Sequence, residues 1–160
     1  MIPRYQVIPR TLIFVFHRDR VLLLRGAETK KNFPGLYNGL GGHVEHGESV
    51  LSGAERELFE ESGIQGVELE LCGLSIDSTR PDVGVEVHVF RGEVDREITP
   101  VASAEGELEW VPVSELGRLP ALPDLVPFVE RACDRKSGGR IFYAVANWNA
   151  ETGEQLRFYV

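Results

Sequence analysis

Residues 42–64, GHVEHGESVLSGAERELFEESGI, constrain this chain more than any other stretch. A glycine-marked loop runs directly into one short amphipathic helix. Ser49 is placed to cap the helix N-terminus, because its hydroxyl can accept from an otherwise unpaired first-turn N–H. Gly63 stands where a left-handed residue closes a helix. Inside the helix Glu57, Glu60 and Glu61 recur at spacings of three and four, which at about 100° per residue gathers them on one stripe. Three neighbouring carboxylates repel one another and weaken a helix unless a cation stands among them. An all-oxygen cluster suits Mg²⁺ or Mn²⁺ rather than a thiophilic metal. Leu51, Ala54 and Leu58 form an adjoining apolar stripe, expected to pack against a sheet.

Every fixed position of this stretch resembles the Nudix box, G-x5-E-x7-R-E-U-x-E-E-x-G-U, where U is a bulky aliphatic residue. Gly42 opens it, Glu48 and Arg56-Glu57 follow, and Leu58, Glu60-Glu61, Gly63 and Ile64 complete it. A solvated acidic helix accounts for the carboxylates, but it requires neither the upstream glycine nor Glu48 and Arg56 at their offsets. The resemblance implies an α/β fold, a mixed β-sheet sandwiched between α-helices with the box helix on one side. It also implies that Glu57, Glu60, Glu61 and the carbonyl of Gly42 hold the metal, Mg²⁺ or in its place Mn²⁺. Arg56 would pair with Glu48 and keep loop and helix in register. The implied reaction is hydrolysis of a nucleoside diphosphate linked to another group, with the metal neutralising charge and activating water. The proton acceptor stays open among Glu57, Glu60 and a glutamate of a later loop.

At 160 residues the chain is expected to form one domain, 1–160, with a sizeable core. A formal charge of −8 argues against a nucleic-acid polymer as partner, which needs a basic footprint. A small-molecule nucleotide arriving with its own Mg²⁺ meets no such objection. Cys72 and Cys133 are too few and too far apart for a disulfide framework or a metal motif, and read as reduced thiols. No apolar run reaches the length of a signal or membrane span. A cytoplasmic protein with no membrane partner, monomer or homodimer, is the expectation.

Residues 11–16 (TLIFVF) read as a strand buried on both faces, and 20–24 as its returning partner across a polar turn that holds His17. Lys30-Lys31 belong to a polar loop, either solvated or steering phosphates. Residues 67–77 and 83–94 alternate as strands, with His88 sharing a face with Glu86 and Phe90. Trp110 is expected in the core and Glu109 in a structural role beside it. A proline-marked segment enters a helix over about 125–135, ended by Ser137-Gly138-Gly139, and residues 141–148 and 155–160 form a hairpin around 150–153.

Within the family, Tyr37-Asn38-Gly39-Leu40-Gly41-Gly42 is similar to a W-N-G-F-G-G stretch of the branch that hydrolyses oxidised purine nucleoside triphosphates. By that likeness Asn38 faces the base; alternatively it only accepts a turn conformation. Leu122-Pro123-Asp124-Leu125 resembles a Trp-Pro-Asp-Asp stretch that reads the base in the same branch, and keeps only its first acid. Asp124 is otherwise a helix N-cap. Glu105 and Glu107 stand where family members carry acids in a later loop, as an extra metal ligand or base. The branch likeness implies an 8-oxo-dGTP diphosphatase-like activity, releasing a monophosphate and pyrophosphate. ADP-ribose or another nucleoside diphosphate-sugar is the alternative substrate, although the expected proline is displaced to Pro81. A nucleotide-sensing domain without catalysis is the alternative of a different class, and the complete box speaks against it.

Overall fold

The most apolar run of the chain becomes its central strand. In the computed structural model, β1 (Gln6–His17) is buried on both faces throughout 11–16, and it begins five residues earlier than the apolar run because it pairs in parallel along the whole of a later strand. The structure describes residues 4–29, 31, 33–99, 104–136, 138–149 and 151–159, with Glu154 described by its backbone alone. Lys30, Ser137, Ala150 and Val160, which enter the readings above, lie outside these.

β2 (Arg20–Gly26) turns back antiparallel to β1. It then parts from β1, and the two-residue β3 (Tyr37–Asn38) pairs with its far end at Leu24 and Arg25. Helix α1 (Val50–Ser62) follows, and β4 (Glu70–Asp77) and β5 (Val83–Glu93) form an antiparallel pair. β6 (Gly106–Pro112) lines β2, and a 3-10 turn, Val113–Arg118, leads towards α2 (Leu125–Lys136). β7 (Phe142–Asn149) and β8 (Gly153–Tyr159) close the fold as a hairpin. The strands make one mixed sheet in the order β3-β2-β1-β5-β4-β7-β8, with β6 also on β2. β1–β5 and β4–β7 are its parallel pairs.

Alternation along β1 sends Leu12, Phe14 and Phe16 to one face and Ile13 and Val15 to the other, as strand geometry requires. The first set packs with Leu125, Phe128, Val129 and Ala132 of α2. The second packs with Ala54 and Leu58 of α1, and with Leu22, Leu40, Ile64 and Phe90. The expected α/β sandwich is therefore present, with one helix on each face.

Helix α1 is capped as its sequence requires. The Ser49 hydroxyl accepts from the Ser52 N–H at 3.0 Å, and the Ser52 hydroxyl returns the favour to the Ser49 N–H at 2.9 Å. Such a box contributes about 1 kcal/mol. Gly63 closes the helix at φ 71°. One expected contact fails: Leu51 is 41% exposed. The stripe that meets the sheet runs through Ala54, Leu58, Glu61 and Ser62, and its first-turn position is taken by Val50. Trp110 is half-buried against the α1 side, its indole N–H donating to the Ile98 carbonyl at 3.1 Å. Among the described residues no helix is long and apolar enough to cross a membrane.

Candidate active site

The site forms where the box helix meets the glycine pair Gly41-Gly42. Gly42 is tied to β1 twice: its carbonyl accepts from the Thr11 N–H at 2.8 Å, and its N–H donates to the Thr11 hydroxyl at 3.3 Å. Two carboxylates of α1, one turn apart, then address the two glycines in turn. Glu61, only 7% exposed, accepts from the Gly41 N–H at 2.8 Å. Glu57 rests against Gly42 so closely that a Cβ there would lie 2.4 Å from its Oε1. Only a residue without a side chain leaves room for the carboxylate to lie on the loop backbone.

Arg56 is the hub of the loop–helix junction. Its guanidinium grips Glu48 with two bonds, Nε to Oε1 at 2.7 Å and Nη2 to Oε2 at 3.0 Å. It also donates to the His43 carbonyl at 2.9 Å, to Glu57 at 3.0 Å and to Glu60 at 3.1 Å. A planar fork of five donors suits this convergence and lysine does not. The Arg56 hydrogen bonds, aided by the Glu45 N–H, pull the Glu48 carboxyl down to about 2. The same carboxylates raise Arg56 above its already high value. The pairing of Arg56 with Glu48 is thus present; the bond to Glu60 is a helical i, i+4 pair, and the bond to the adjacent Glu57 is one that spacing does not show.

The three box carboxylates differ in environment. Glu60 is exposed, Glu57 largely covered and Glu61 buried. Among the described residues no three acidic, histidine or cysteine side chains converge closely enough to chelate an ion. Arg56 Nη1 bridges Glu57 and Glu60 instead. The donor set itself fits a hard divalent cation, being all oxygen and acidic, with a backbone cradle at Gly42 that a Cβ would fill.

The two residues expected at the nucleobase are drawn together by backbone pairing. Tyr37 N–H donates to the Pro120 carbonyl at 2.9 Å and the Leu122 N–H to the Tyr37 carbonyl at 3.2 Å. Asn38 follows the first of these anchors and Asp124 stands two residues past the second. The Asn38 amide oxygen accepts from the Gly39 N–H at 2.8 Å, so the turn role is real and the NH₂ group is left as a donor. Asp124 precedes α2, and its carbonyl accepts from Phe128 N–H at 3.0 Å. Pro127 occupies the third helical position and has no N–H, which weakens the capping role. Burial of the half-covered Asp124 carboxyl raises its pKa, and the charge of Asp77 adds to this.

Glu105 lies in the turn entering β6, its carbonyl accepting from the Ala27 N–H at 3.1 Å. Glu107 is exposed opposite Arg25 on the β2–β6 pair. His88 is half-buried on the sheet face with its Nε2 3.4 Å from Glu86. His17 ends β1 rather than lying in the turn, its Nδ1 3.0 Å from the Val94 carbonyl. Thr11, the polar first member of a buried apolar run, is the site residue that sequence reasoning overlooked.

The family model described as NUDIX domain matches residues 7–132. The chain is 33% identical over 115 residues to the oxidized purine nucleoside triphosphate hydrolase of Mus musculus, covering 71% of this chain and 72% of that protein. It is 33% identical over 114 residues to the NAD-capped RNA hydrolase NudC of Pseudomonas aeruginosa, covering 71% of this chain and 39% of that enzyme. A crystal structure of a MutT protein from Bacillus halodurans superposes with a TM-score of 0.73 at 24% identity, covering 95% of this chain and 97% of that one.

Proposed function

Since the chain belongs to the NUDIX family and is a hydrolase of phosphoric anhydrides in nucleoside diphosphate-linked compounds, we propose that it cleaves a purine nucleoside triphosphate, intact or oxidised. The products are a monophosphate and pyrophosphate. The observation that carries this reading is the junction at Gly42, where Glu57 lies on the loop backbone and Arg56 locks Glu48 to the helix. Likeness over most of its length to an oxidized purine nucleoside triphosphate hydrolase supports the choice of base.

Glu57, Glu60, Glu61 and the Gly42 carbonyl would hold Mg²⁺ or Mn²⁺. Such a cation, when bound, neutralises diphosphate charge and acidifies water. The chain's own residues do the rest. Thr11 fixes Gly42, Gly41 fixes Glu61, and Arg56 holds Glu57 and Glu60 in place between substrates. Glu57 or Glu60 takes the proton of the attacking water. Asn38 offers its NH₂ to an acceptor on the purine edge, and the half-buried Asp124 carboxyl supplies the second polar group for the base. Both groups are half-buried, and a bound base that covers them without pairing them is disfavoured by about 1–3 kcal/mol per group.

The test is product analysis on a panel of 8-oxo-dGTP, dGTP, dATP, ADP-ribose and NAD with Mg²⁺. Monophosphate and pyrophosphate from a purine triphosphate support the reading. The likeness to NudC favours a dinucleotide-type diphosphate as second substrate, and faster cleavage of NAD or ADP-ribose into two monophosphates would replace the first reading by that one. No cleavage of any member would leave a nucleotide-sensing domain.

A further inference from the structure

Tyr37 is where four separate parts of the chain meet. It is 8% exposed. Its backbone pairs with Arg25 of β2 on one side and exchanges hydrogen bonds with Pro120 and Leu122 on the other. Its phenol O–H donates to the carboxylate of Glu109 on β6, seventy-two positions away. That bond, with burial behind it, raises the Tyr37 pKa and keeps the phenol a donor.

β3 is only two residues long. A strand so short has weakly specified register, because few ladder bonds and few side chains resist a slip. Yet Asn38 is one of those two residues, and the segment bonded to Tyr37 leads directly to Asp124. Glu109 is exposed on β6, opposite the buried Leu23 of β2. The need for the bond lies with Tyr37, whose buried ring carries an O–H that requires an acceptor, and Glu109 is that acceptor. Where the related stretch of the purine branch has tryptophan, this chain has a phenol whose O–H reaches β6.

We propose that the Tyr37–Glu109 hydrogen bond is a positioning clamp. It fixes β3 between β2 and residues 120–122, so that Asn38 and Asp124 hold one orientation towards the nucleobase. Tyr37 and Glu109 touch no reacting atom and act through those two residues. The inference rests on the base-reading role given to them above.

The experiment compares Tyr37→Phe, Glu109→Ala, Glu109→Gln and the double variant Tyr37→Phe/Glu109→Ala. Each is assayed with whichever nucleotide the wild type cleaves best, and the Kd of a non-hydrolysable analogue of that nucleotide is measured by calorimetry. Tyr37→Phe keeps the buried ring, and Glu109→Gln keeps an acceptor oxygen. We expect KM and Kd to rise about fivefold in Tyr37→Phe and in Glu109→Ala, the equivalent of one hydrogen bond, with kcat within about twofold of wild type. Glu109→Gln should stay near wild type, and the double variant should be no worse than either single one, as for two partners of one bond. Unchanged KM and Kd, a fall in kcat matching the rise in KM, or additive losses would each overturn the clamp. A wrong substrate class shows itself differently, in the wild type's own preference across the panel.

Discussion

Gly42→Ala isolates the contact on which the metal-site reading depends. Gly42 is not among the glycines of positive φ, so alanine meets no backbone objection there. What it meets is Glu57. The added Cβ would lie 2.4 Å from Oε1, 2.6 Å from Cδ and 2.8 Å from Oε2, whereas ordinary contact begins at 3.4 Å. The carboxylate must therefore retreat by about 1 Å, the shortfall between those distances. It is the end of a flexible side chain, and the bond it risks is one partly exposed ion pair with Arg56 at 3.0 Å. That costs the fold about 1 kcal/mol at most, or some 2–4 °C in Tm for a chain of this size. A displacement of that size at a catalytic group costs about 10²-fold in rate, roughly 2.7 kcal/mol of activation free energy. The assay is initial rate against Mg²⁺ concentration, beside a thermal melt. Gly41→Ala is the contrasting variant: at φ 130° its Cβ would lie 2.3 Å from the Thr11 carbonyl oxygen, so it should lose stability as well as rate. If Gly42→Ala keeps its rate within about threefold, Glu57 does not need its seat on the loop, and its place among the metal ligands falls.

The remaining predictions follow from the same junction and from the base end. Glu60→Gln and Glu61→Gln should each lower turnover by about two orders of magnitude through lost charge at the cation; Glu60, being exposed, should leave Tm unmoved, and normal turnover in both would remove the acidic stripe from the mechanism. Arg56→Ala should lower both Tm and Mg²⁺ affinity, because three carboxylates lose their shared cation; a variant with wild-type Tm and Mg²⁺ dependence would make the hub ornamental. Glu48 titrates at about 2 when folded against 4.5 otherwise, so its stabilisation is complete above 4.5 and is lost as pH falls through 2. The stability gap between wild type and Glu48→Gln, read by denaturant melts, should close across that window and not above it. Asp124 is shifted the other way, upwards from 3.8 by burial, so its ionised form is disfavoured by folding and stability falls as pH rises through the shifted value. Asp124→Asn should accordingly melt higher than wild type at pH 7, converge with it in acid, and raise KM for the preferred purine nucleotide; a lower Tm at pH 7 would contradict the burial argument.

The parts of this molecule that were legible in its sequence are those governed by short-range rules. The cap at Ser49, the left-handed Gly63 and the doubly buried β1 follow from local chemistry and period, and the structure has all three. The pairing of Arg56 with Glu48 was legible through the likeness of the stretch to the Nudix box, and the structure has it. What was hidden depends on which way an element is rolled in its bed. Leu51 and Val50 are adjacent, and sequence alone does not say which of them the sheet covers; the roll that buries Glu61 against Gly41 selects Val50. That choice makes physical sense only because the loop offers an N–H to the buried carboxylate, since a covered glutamate without one would cost more than the apolar contact of Leu51 returns. The helix is thus oriented by its polar contacts with the glycine pair, and the apolar stripe adapts to them. The same holds at β3. Nothing in the alternation of 106–112 says that Glu109 is spoken for, because its partner Tyr37 lies in another segment and is brought to it only by the pairing of both with β2. Residues whose partners are fixed by a third strand are invisible to periodicity, and in this chain Tyr37 and Glu109 are of that kind, while Thr11 meets Gly42 directly across a sequence separation that periodicity does not bridge.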